Sequence, residues 1–330
     1  MLNNTKANVK TTNQYLRQQN QQLRMVDETK RSLQQTRRYS LMEIVTQLHV
    51  LEYLERYLNL GMPSVTFSGN GPYTVFMPWM FAWKELNPDL LTKLNSPTGS
   101  WMAHLIDILE YHIADETFID TGIVTTRQGQ DVVITQMIAT GNVSRTRFWA
   151  NGIPVLGNYT TTNGVAFVLS KVLLPAWVDR TLWDVTSSLD GFDTFAAIIV
   201  SGDYESILRN TDVGITILAP TNDAFNTMDK GNALSLVLDE EYLKETIHLH
   251  FLVGFVDADT NEVVRGPIPS QFFSSSSRRL VTVQGLSLQL TSGPSSVIIT
   301  GPSNAARIIQ YDVLAYNGIL HHIDTVLLLS

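Results

Sequence analysis

The chain has 330 residues, which is enough for about two domains of ordinary size. Apolar residues make up 44% of it, which supports packed cores, while charged residues reach only 16%, a low share for a soluble cytosolic protein. The net charge of −8 argues against nucleic acid as a partner, and the lack of cysteine excludes both a disulfide framework and thiol chemistry.

The segment 1–39 differs in composition from the rest of the chain. It is rich in Gln, Asn and Thr, and it carries eight Lys and Arg against Asp27 and Glu28. Apolar residues recur there at helical spacing, at Leu16, Leu23, Val26 and Leu33. They are too sparse for an amphipathic helix that is stable by itself. Two interpretations are open: a solvated tail, or a basic arm that docks on an acidic polymer or on the acidic domains of its own chain.

A motif in the first half of the chain recurs in the second half. The run TVFMPWMFAW that begins at Thr74 reads like the run TILAPTNDAF that begins at Thr216. Each starts with an apolar, partly β-branched stretch that predicts a buried strand, and a proline ends the strand because it has no N–H to donate. In the second copy, short polar residues after the proline predict a helix cap, because their side chains accept from the free N–H groups of the first turn.

A second motif recurs further along. The run NGVAFVLSKVLL from Asn163 reads like NGILHHIDTVLL from Asn317. Asn-Gly tolerates positive φ, so it predicts a tight turn into a strand. Because two motifs recur in the same order, a duplicated domain explains them far better than chance. We therefore expect each repeat to open with strand–proline–helix and to close with a strand that pairs with an early strand.

Between these motifs lies a third shared mark, a histidine after a stretch with the apolar spacing of a helix. Together the three marks resemble the fasciclin (FAS1) domain family over about residues 40–330. The second repeat matches closely, whereas the first has Trp79-Met80-Phe81 in place of polar residues and Phe167 in place of histidine. The residues that match the opening and closing motifs of the family, called the family boxes below, are Thr74, Pro78, Asn163, Gly164, Thr216, Pro220, Thr221, Asn222, Asp223, Phe225, Asp312, Asn317, Gly318 and His321.

The resemblance implies an α+β fold with two tandem fasciclin-like domains, each a wedge-like or sandwich-like sheet with packed α-helices. After the segment 1–39, it implies a divergent domain at 40–177 and a second domain at 178–330. The implied function is non-catalytic adhesion, through binding of cell-surface or matrix proteins, polysaccharide or a second copy of the chain.

The central Tyr-His region is associated with receptor binding and cell adhesion in the family. The resemblance therefore points to Leu109, Tyr111, His112, Ile113 and His250 as an adhesion motif. Their apolar surroundings favour a different interpretation, in which these side chains belong to the core. No Arg-Gly-Asp tripeptide occurs in the sequence.

The histidines of the second repeat raise the question of a metal site. His248 and His250 are two residues apart, and His321-His322 would lie near them if the closing strand pairs nearby. A histidine that recurs after an apolar helix is more often a buried hydrogen-bonding residue, so we expect no metal and no cofactor. No Gly-x-Ser-x-Gly, His-Glu-x-x-His or phosphate-loop motif is present, and we do not expect an enzyme.

The alternative function is a structural module that binds carbohydrate or a matrix polymer. Such a module would recognise sugars through exposed aromatic side chains among Trp79, Trp83, Trp101 and Trp149. Polysaccharide binding would separate this function from adhesion through proteins.

The expected location is extracellular or at the cell surface, because fasciclin-family proteins are usually secreted or surface-anchored. The N-terminus is polar, so no signal peptide is visible, and the longest apolar runs are far shorter than the ~20 residues of a membrane span. Passage through a secretory pathway would allow glycosylation at the sequons of Asn142 and Asn158, and at that of Asn3.

Overall fold

The structure is a computed structural model that describes residues 39–61, 67–96, 98–139, 145–274 and 277–329. The chain divides into two compact units. Unit 1 consists of Met1–Leu91 and Ile106–Pro175, and unit 2 consists of Thr92–Leu105 and Ala176–Ser330. Each unit contains one sheet with helices beside it, which confirms the predicted α+β class.

The first repeat runs from a helix that follows Ser40 to a strand that ends at Leu169. Its elements are α1 (Leu41–Gln47), a 3-10 turn (His49–Leu51), α2 (Glu52–Gly61), β1 (Tyr73–Pro78), α3 (Met80–Lys84), α4 (Pro88–Leu94), α5 (Met102–Tyr111), β2 (Ile113–Ala114), β3 (Gly122–Thr125), β4 (Asp131–Ala139), β5 (Arg145–Ala150), β6 (Ile153–Thr160) and β7 (Gly164–Leu169).

The second repeat follows a similar plan. Its elements are a 3-10 turn (Ala176–Asp179), α6 (Leu182–Thr186), α7 (Asp193–Ser201), α8 (Glu205–Arg209), β8 (Ile215–Pro220), α9 (Asn222–Asn226), α10 (Lys230–Leu238), α11 (Glu240–Leu249), β9 (Phe251–Val256), β10 (Val263–Arg265), a 3-10 turn (Ser270–Ser274), β11 (Ser277–Thr282), β12 (Ser287–Ser292), β13 (Val297–Thr300), β14 (Ala305–Ala315) and β15 (Gly318–Ile323).

The sheets of the two units have related strand orders. The strand order is β2-β1-β7-β6-β5-β4-β3 in unit 1 and β10-β9-β11-β12-β13-β14-β15-β8 in unit 2, where β9 also pairs with β8 and closes the sheet. In each unit the closing strand pairs with the opening strand, as predicted, and the two strands are parallel. Gly164 lies opposite Tyr73 in one pair, and Gly318 lies opposite Ile215 in the other.

Glycine is required at the start of each closing strand because the opening strand lies very close to it. A Cβ on Gly164 would stand 2.1 Å from the carbonyl oxygen of Tyr73. A Cβ on Gly318 would stand 2.1 Å from the carbonyl oxygen of Ile215. Both distances are far below van der Waals contact, so the Asn-Gly pair of the second motif is a packing requirement as well as a turn signal.

The asparagine before Gly164 holds three separate segments of unit 1 together. The Oδ1 atom of Asn163 accepts from the N–H of Leu41 at 2.9 Å, which is the start of α1. Its Nδ2 donates to the carbonyl oxygens of Phe67 at 3.0 Å and Gly69 at 2.9 Å. The side chain is buried, so these bonds form away from competing water.

Asn317 repeats this arrangement in unit 2. Its Oδ1 accepts from the N–H of Leu182 at 2.7 Å, which is the start of α6. Its Nδ2 donates to the carbonyl oxygens of Leu208 at 2.9 Å and Asn210 at 2.7 Å. In both units, the asparagine before the closing strand therefore forms hydrogen bonds to the start of the first helix and to the segment before the opening strand.

The same helices begin with matching caps. Ser40 and Glu43 form a capping box at the start of α1, and Thr181 and Asp184 form one at the start of α6. Each box satisfies N–H groups that the first helical turn leaves without partners. Thr221 caps α9 by accepting from the N–H of Ala224 at 3.2 Å, which confirms the predicted cap.

The remaining box residues also make specific contacts. The hydroxyl of Thr74 donates to the carbonyl oxygen of Glu116 at 2.6 Å, and that of Thr216 accepts from the N–H of Ile268 at 2.7 Å. Asn222 accepts from the N–H of Thr194 and so ties the opening box to α7. Asp223 is exposed in the first turn of α9, and Pro78, Pro220 and Phe225 lie in buried or half-buried positions.

We expect Asn317→Ala to lower the free energy of unfolding by about 3 kcal/mol, because three backbone groups lose their partner at once. Asn226→Ala is the matched control, since Asn226 is exposed at the end of α9. Urea denaturation followed by circular dichroism measures both variants. Equal stability losses in the two would contradict the role assigned to Asn317.

Candidate functional site

The central histidine occupies an equivalent position in both repeats, directly after the helix that precedes the second strand of the sheet. In unit 1, the N–H of Leu173 donates to Nε2 of His112 at 3.0 Å, which leaves the ring proton on Nδ1. That Nδ1 lies 2.7 Å from the carbonyl oxygen of Ile108, one turn earlier in α5. The carbonyl oxygen of His112 itself accepts from the N–H of Phe76 in β1 at 2.8 Å.

His250 makes the same set of bonds in unit 2. The N–H of Leu327 donates to its Nε2 at 3.1 Å, its Nδ1 donates to the carbonyl oxygen of Thr246 at 2.8 Å, and its carbonyl oxygen accepts from the N–H of Leu218 at 2.8 Å. Each neutral imidazole therefore joins a helix to the segment after the closing strand. Burial lowers the pKa of both rings to about 4, despite the opposing effect of the helix carbonyl.

The five residues of the predicted adhesion motif all lie in the interior. The exposed fractions are 1% for Leu109, 6% for Tyr111, 1% for His112, 1% for Ile113 and 1% for His250. Within unit 1, the hydroxyl of Tyr111 accepts a hydrogen bond of 2.9 Å from Nδ2 of Asn151. None of these side chains is presented to a partner in this structure, in keeping with the core interpretation.

His321 belongs to a local network that the first repeat lacks. Its Nδ1 accepts from the N–H of Asp312 at 3.2 Å, and its Nε2 donates to the carbonyl oxygen of Ile268 at 2.8 Å. The carboxylate of Asp312 in turn accepts from the N–H and the hydroxyl of Ser270. Burial lowers the pKa of His321, and the Asp312 charge opposes that shift. In the first repeat, the apolar ring of Phe167 takes the equivalent place and is fully buried.

The histidines of the second repeat do not form a common metal site. Both ring nitrogens of His250 and of His321 are engaged by backbone groups, so neither imidazole offers a free nitrogen to a metal ion. His248 instead bonds the hydroxyl of Tyr204 at 2.8 Å, and the ring of His322 lies 4.3 Å from that of Phe192. In the part of the chain that the structure describes, no three His, Asp or Glu side chains group as a metal site.

A surface that sequence reasoning missed lies on the sheet of unit 1. Ile123 and Val133 face each other across β3 and β4 with exposed fractions of 63% and 43%, and Met137 further along β4 is 63% exposed. Trp149 of β5 is half-buried beside them, opposite Thr135. We call the surface formed by Ile123, Val133, Met137 and Trp149 the outer face.

The outer face arises from strand alternation. The exposed Val133 and Met137 alternate along β4 with Val132 and Ile134, which are buried in the core of unit 1. The run Val-Val-Ile in the sequence is typical of a strand buried on both faces, and only the spacing of Met137 signals a second, outward apolar series. The outer face is therefore an apolar surface on a strand whose other face is already packed.

Three of the four tryptophans proposed for sugar recognition are buried. They are Trp79, Trp83 and Trp101, with exposed fractions of 6%, 0% and 8%. The expectation of exposed rings at these positions was wrong, because each ring fills core volume that smaller residues would leave empty. Among the predicted sugar-binding rings, only Trp149 remains partly accessible.

The sequons of Asn3, Asn142 and Asn158 fall in different parts of the chain. Asn158 is exposed on β6, where a glycan would point away from the core. Asn142 lies outside the described residues. The basic segment 1–38 likewise lies outside them.

The folds of the two units and their shared hydrogen-bond networks define a tandem pair of related α+β domains. A model of the fasciclin domain matches the chain twice, over residues 40–175 and 190–329. The chain therefore belongs to the fasciclin domain family, and the predicted family and fold are confirmed.

Two relatives with similar sequences are considerably longer than this chain. The chain is 26% identical over 267 residues to transforming growth factor-beta-induced protein ig-h3 of Sus scrofa, which covers 79% of this chain and 35% of that protein. It is 22% identical over 281 residues to periostin of Homo sapiens, covering 83% of this chain and 30% of that protein. The chain thus spans about a third of the length of these relatives.

A solved structure is also similar, a FAS1 domain pair from the insect cell adhesion molecule fasciclin I. It shares 17% identity with a TM-score of 0.42, over 84% of this chain and 97% of that chain. Within the described residues of the present protein, no helix is both long and apolar enough to cross a bilayer.

Because burial lowers the pKa of the central histidines, we expect the protein to lose stability in mild acid. His250 titrates at about 4 when folded and near its ordinary value of 6.5 when unfolded, so between these values the unfolded state binds more protons. The stability that neutral His250 contributes is complete above pH 6.5 and is lost as the pH falls towards 4. We expect His250→Gln to reduce the drop in unfolding free energy between about pH 7 and about pH 4.5 by about 2–3 kcal/mol.

His49→Gln is the control for this experiment, because the side chain of His49 is 78% exposed. Urea denaturation at each pH gives the unfolding free energies. If His250→Gln and the native chain lost stability with identical pH dependence, the buried neutral state assigned to His250 would be refuted.

Proposed function

We propose that this protein is a non-catalytic adhesion or matrix protein that acts outside the cell or at its surface. Its tandem fasciclin domains bind cell-surface or matrix proteins, and the contact is made by the outer face of unit 1. The observation that carries the proposal is the exposure of Ile123, Val133 and Met137 on neighbouring strands. Family membership supports the non-catalytic role.

The outer face has the properties of a protein-binding surface. Its apolar side chains lie on the same face of three neighbouring strands, whereas exposed apolar residues of soluble proteins are usually scattered singly. A half-buried tryptophan lies beside them, and aromatic residues often anchor protein interfaces. Arg147, opposite Met137, adds a polar group of the kind found around interface centres.

The buried Tyr-His region supports the fold in this proposal rather than contacting the partner. Its side chains could reach a partner only if unit 1 opened, which would break the bonds that His112 makes to α5 and to the segment after β7. Opening of that kind is costly, because it leaves buried polar groups without partners.

Adhesion of coated beads tests the proposal. We expect beads that carry the full chain to cluster or to attach to cells and matrix proteins, and we expect Ile123→Ser with Met137→Ser to reduce attachment about tenfold by removing apolar contact area. Val213→Ser is the matched control, because Val213 is 52% exposed in unit 2, away from β3 and β4. Attachment by none of the coated beads would refute the adhesion function itself.

A paired variant separates the outer face from the Tyr-His motif. Tyr111→Ala with His112→Ala should lower the melting temperature, because both side chains are buried. A loss of adhesion in this variant with an unchanged melting temperature would instead assign the contact to the motif.

Carbohydrate binding remains the second candidate because Trp149 is partly accessible on the outer face. A sugar ring could stack on this indole as apolar CH groups do on aromatic faces. Attachment of the coated beads to matrix polysaccharide, abolished by Trp149→Ala and not by Ile123→Ser with Met137→Ser, would favour this function over protein-mediated adhesion.

A further inference from the structure

The sheet of unit 1 is open at β3, whereas the corresponding strand of unit 2 is covered on both sides. In unit 2, β11 lies between β12 and β9. In unit 1, β3 pairs with β4, and no strand among the described residues pairs with its other side. Val124 and Leu280 mark equivalent positions, since each is buried and lies opposite a buried residue of the next strand. An edge strand of this kind carries backbone groups that can pair with another chain.

The backbone groups at the open edge belong to Ile123 and Thr125. Val133 of β4 lies opposite Ile123 and uses both of its backbone groups on the side of β5. Its N–H donates to Oδ1 of Asn151 at 2.8 Å, and its carbonyl oxygen accepts from the N–H of Asn151 at 2.9 Å. Bonded and non-bonded pairs alternate along an antiparallel ladder, so the N–H and C=O of Ile123 and of Thr125 point away from β4. Within the described residues, no group bonds to them.

The edge is uncovered because the chain before β3 is held to β1 instead. The hydroxyl of Thr74 donates to the carbonyl oxygen of Glu116 at 2.6 Å and accepts from the N–H of Phe118 at 2.8 Å. In unit 2, the hydroxyl of Thr216 accepts in the same way from the N–H of Ile268. Before it reaches Ile268, however, the chain of unit 2 extends along β11 as β9 and turns back as β10. The described residues of unit 1 contain no such excursion.

Unit 2 therefore shows what fits on an edge of this shape. The strand beside β11 is β9, which is antiparallel to it. Arg279 precedes Leu280 as Ile123 precedes Val124, and Arg279 lies opposite Val256 of β9. The occupant that matches the open edge of unit 1 is thus an extended, antiparallel strand with an apolar residue opposite Ile123. Addition of a strand to a sheet edge is a common mode of peptide recognition.

The open edge is continuous with the outer face. The side chain of Ile123 is 63% exposed at the edge itself, and that of Val133 beside it on β4 is 43% exposed. In an antiparallel pair, side chains directly opposite each other lie on the same face of the sheet. A strand added to β3 therefore places a side chain beside Ile123 and removes apolar surface from water.

The surroundings of the open edge are acidic. Among residues 113–131, Asp115, Glu116, Asp120 and Asp131 are exposed, and the single basic side chain is that of Arg127. The guanidinium of Arg127 already binds the carboxylate of Asp115, with Nε at 2.9 Å from both oxygens. Opposite charge therefore favours a strand that has basic residues at its ends.

We propose that unit 1 binds an extended peptide segment of a partner protein, which adds to its sheet as a strand antiparallel to β3. The backbone of the segment exchanges hydrogen bonds with Ile123 and Thr125, an apolar side chain packs beside Ile123, and basic residues at its ends lie near the acidic side chains. This inference rests on the proposed adhesion function and deepens it, because it specifies the form in which a partner meets the outer face.

A synthetic peptide tests strand addition directly. The probe has the sequence of β9, Phe251–Val256, with two lysines added at each end and a fluorophore at one end. We expect it to bind the full chain saturably, and we expect Thr125→Pro to weaken binding about tenfold, because proline has no N–H to donate at the open edge. Absence of saturable binding would overturn the proposal.

Thr125→Val is the matched control for Thr125→Pro. Both substitutions remove the hydroxyl that donates to Asp131 at 2.7 Å, but only proline also removes the N–H. Circular dichroism and melting temperature verify that each variant remains folded, as expected for a proline whose missing N–H lies on the open side of an edge strand. Equal weakening by proline and by valine would contradict a backbone contact.

Methylation of the peptide backbone gives a test that leaves the protein unchanged. In the register of unit 2, the peptide residue that corresponds to Val256 lies opposite Ile123 and turns its N–H towards β3, whereas the residue that corresponds to Phe255 turns its N–H away. N-methylation at the first position should weaken binding about tenfold, and N-methylation at the second should leave it nearly unchanged. Equal effects at the two positions would overturn strand addition.

Coated beads separate this inference from the adhesion function on which it rests. Loss of attachment with Thr125→Pro but not with Thr125→Val would support strand addition. If native and Thr125→Pro beads attach equally well, strand addition is overturned while the adhesion function stands. Attachment by no beads refutes the adhesion function, and peptide binding then still decides whether the edge accepts a strand.

Sedimentation of the native chain tests the other occupant of the edge, a second copy. A dimer that Thr125→Pro dissociates, together with absence of peptide binding, would assign β3 to contact between copies and overturn the proposal. A native chain that remains monomeric while it binds the peptide would support it.

Discussion

In each repeat, the last strand lies parallel to the first, and most of the surrounding structure is attached to that pair. Asn163 and Asn317 begin the closing strands and bind the first helix of their own unit. His112 and His250 bind the segment after the closing strand and bring the preceding helix with it. A parallel pair has no tight turn of its own to hold it, so side chains with fixed hydrogen bonds define its position.

The two units use the same internal bonds but differ where the bonds are not required. His321, Asp312 and Ser270 form a polar network beside the closing strand of unit 2, while unit 1 fills that position with Phe167. The Phe167 ring packs there against the rings of Phe76 and Phe148, with centroid distances of 5.7 and 6.1 Å. A buried polar network is stable when every member is satisfied, and an apolar core of the same volume is equally acceptable.

Sequence motifs predicted the parts of the fold that depend on special residues. Asn-Gly, the proline after the opening strand and the central histidine each have a specific chemical task, so their recurrence fixed the plan of the repeat. The burial of Trp79, Trp83 and Trp101 was not predictable from composition, because an aromatic residue serves a core and a surface equally well. The outer face could not be predicted for a related reason. Val133 lies in a continuous apolar run, and such a run does not indicate which face of β4 is buried.

The long chain separation between the partners in each unit has a consequence for synthesis. Leu41 and Asn163 are 122 residues apart, and Leu182 and Asn317 are 135 residues apart. Contacts of such range raise the contact order, which slows folding. A growing chain on the ribosome cannot complete either repeat until its final strand has emerged, so the opening strand must wait with one edge unpaired while roughly a hundred later residues are translated.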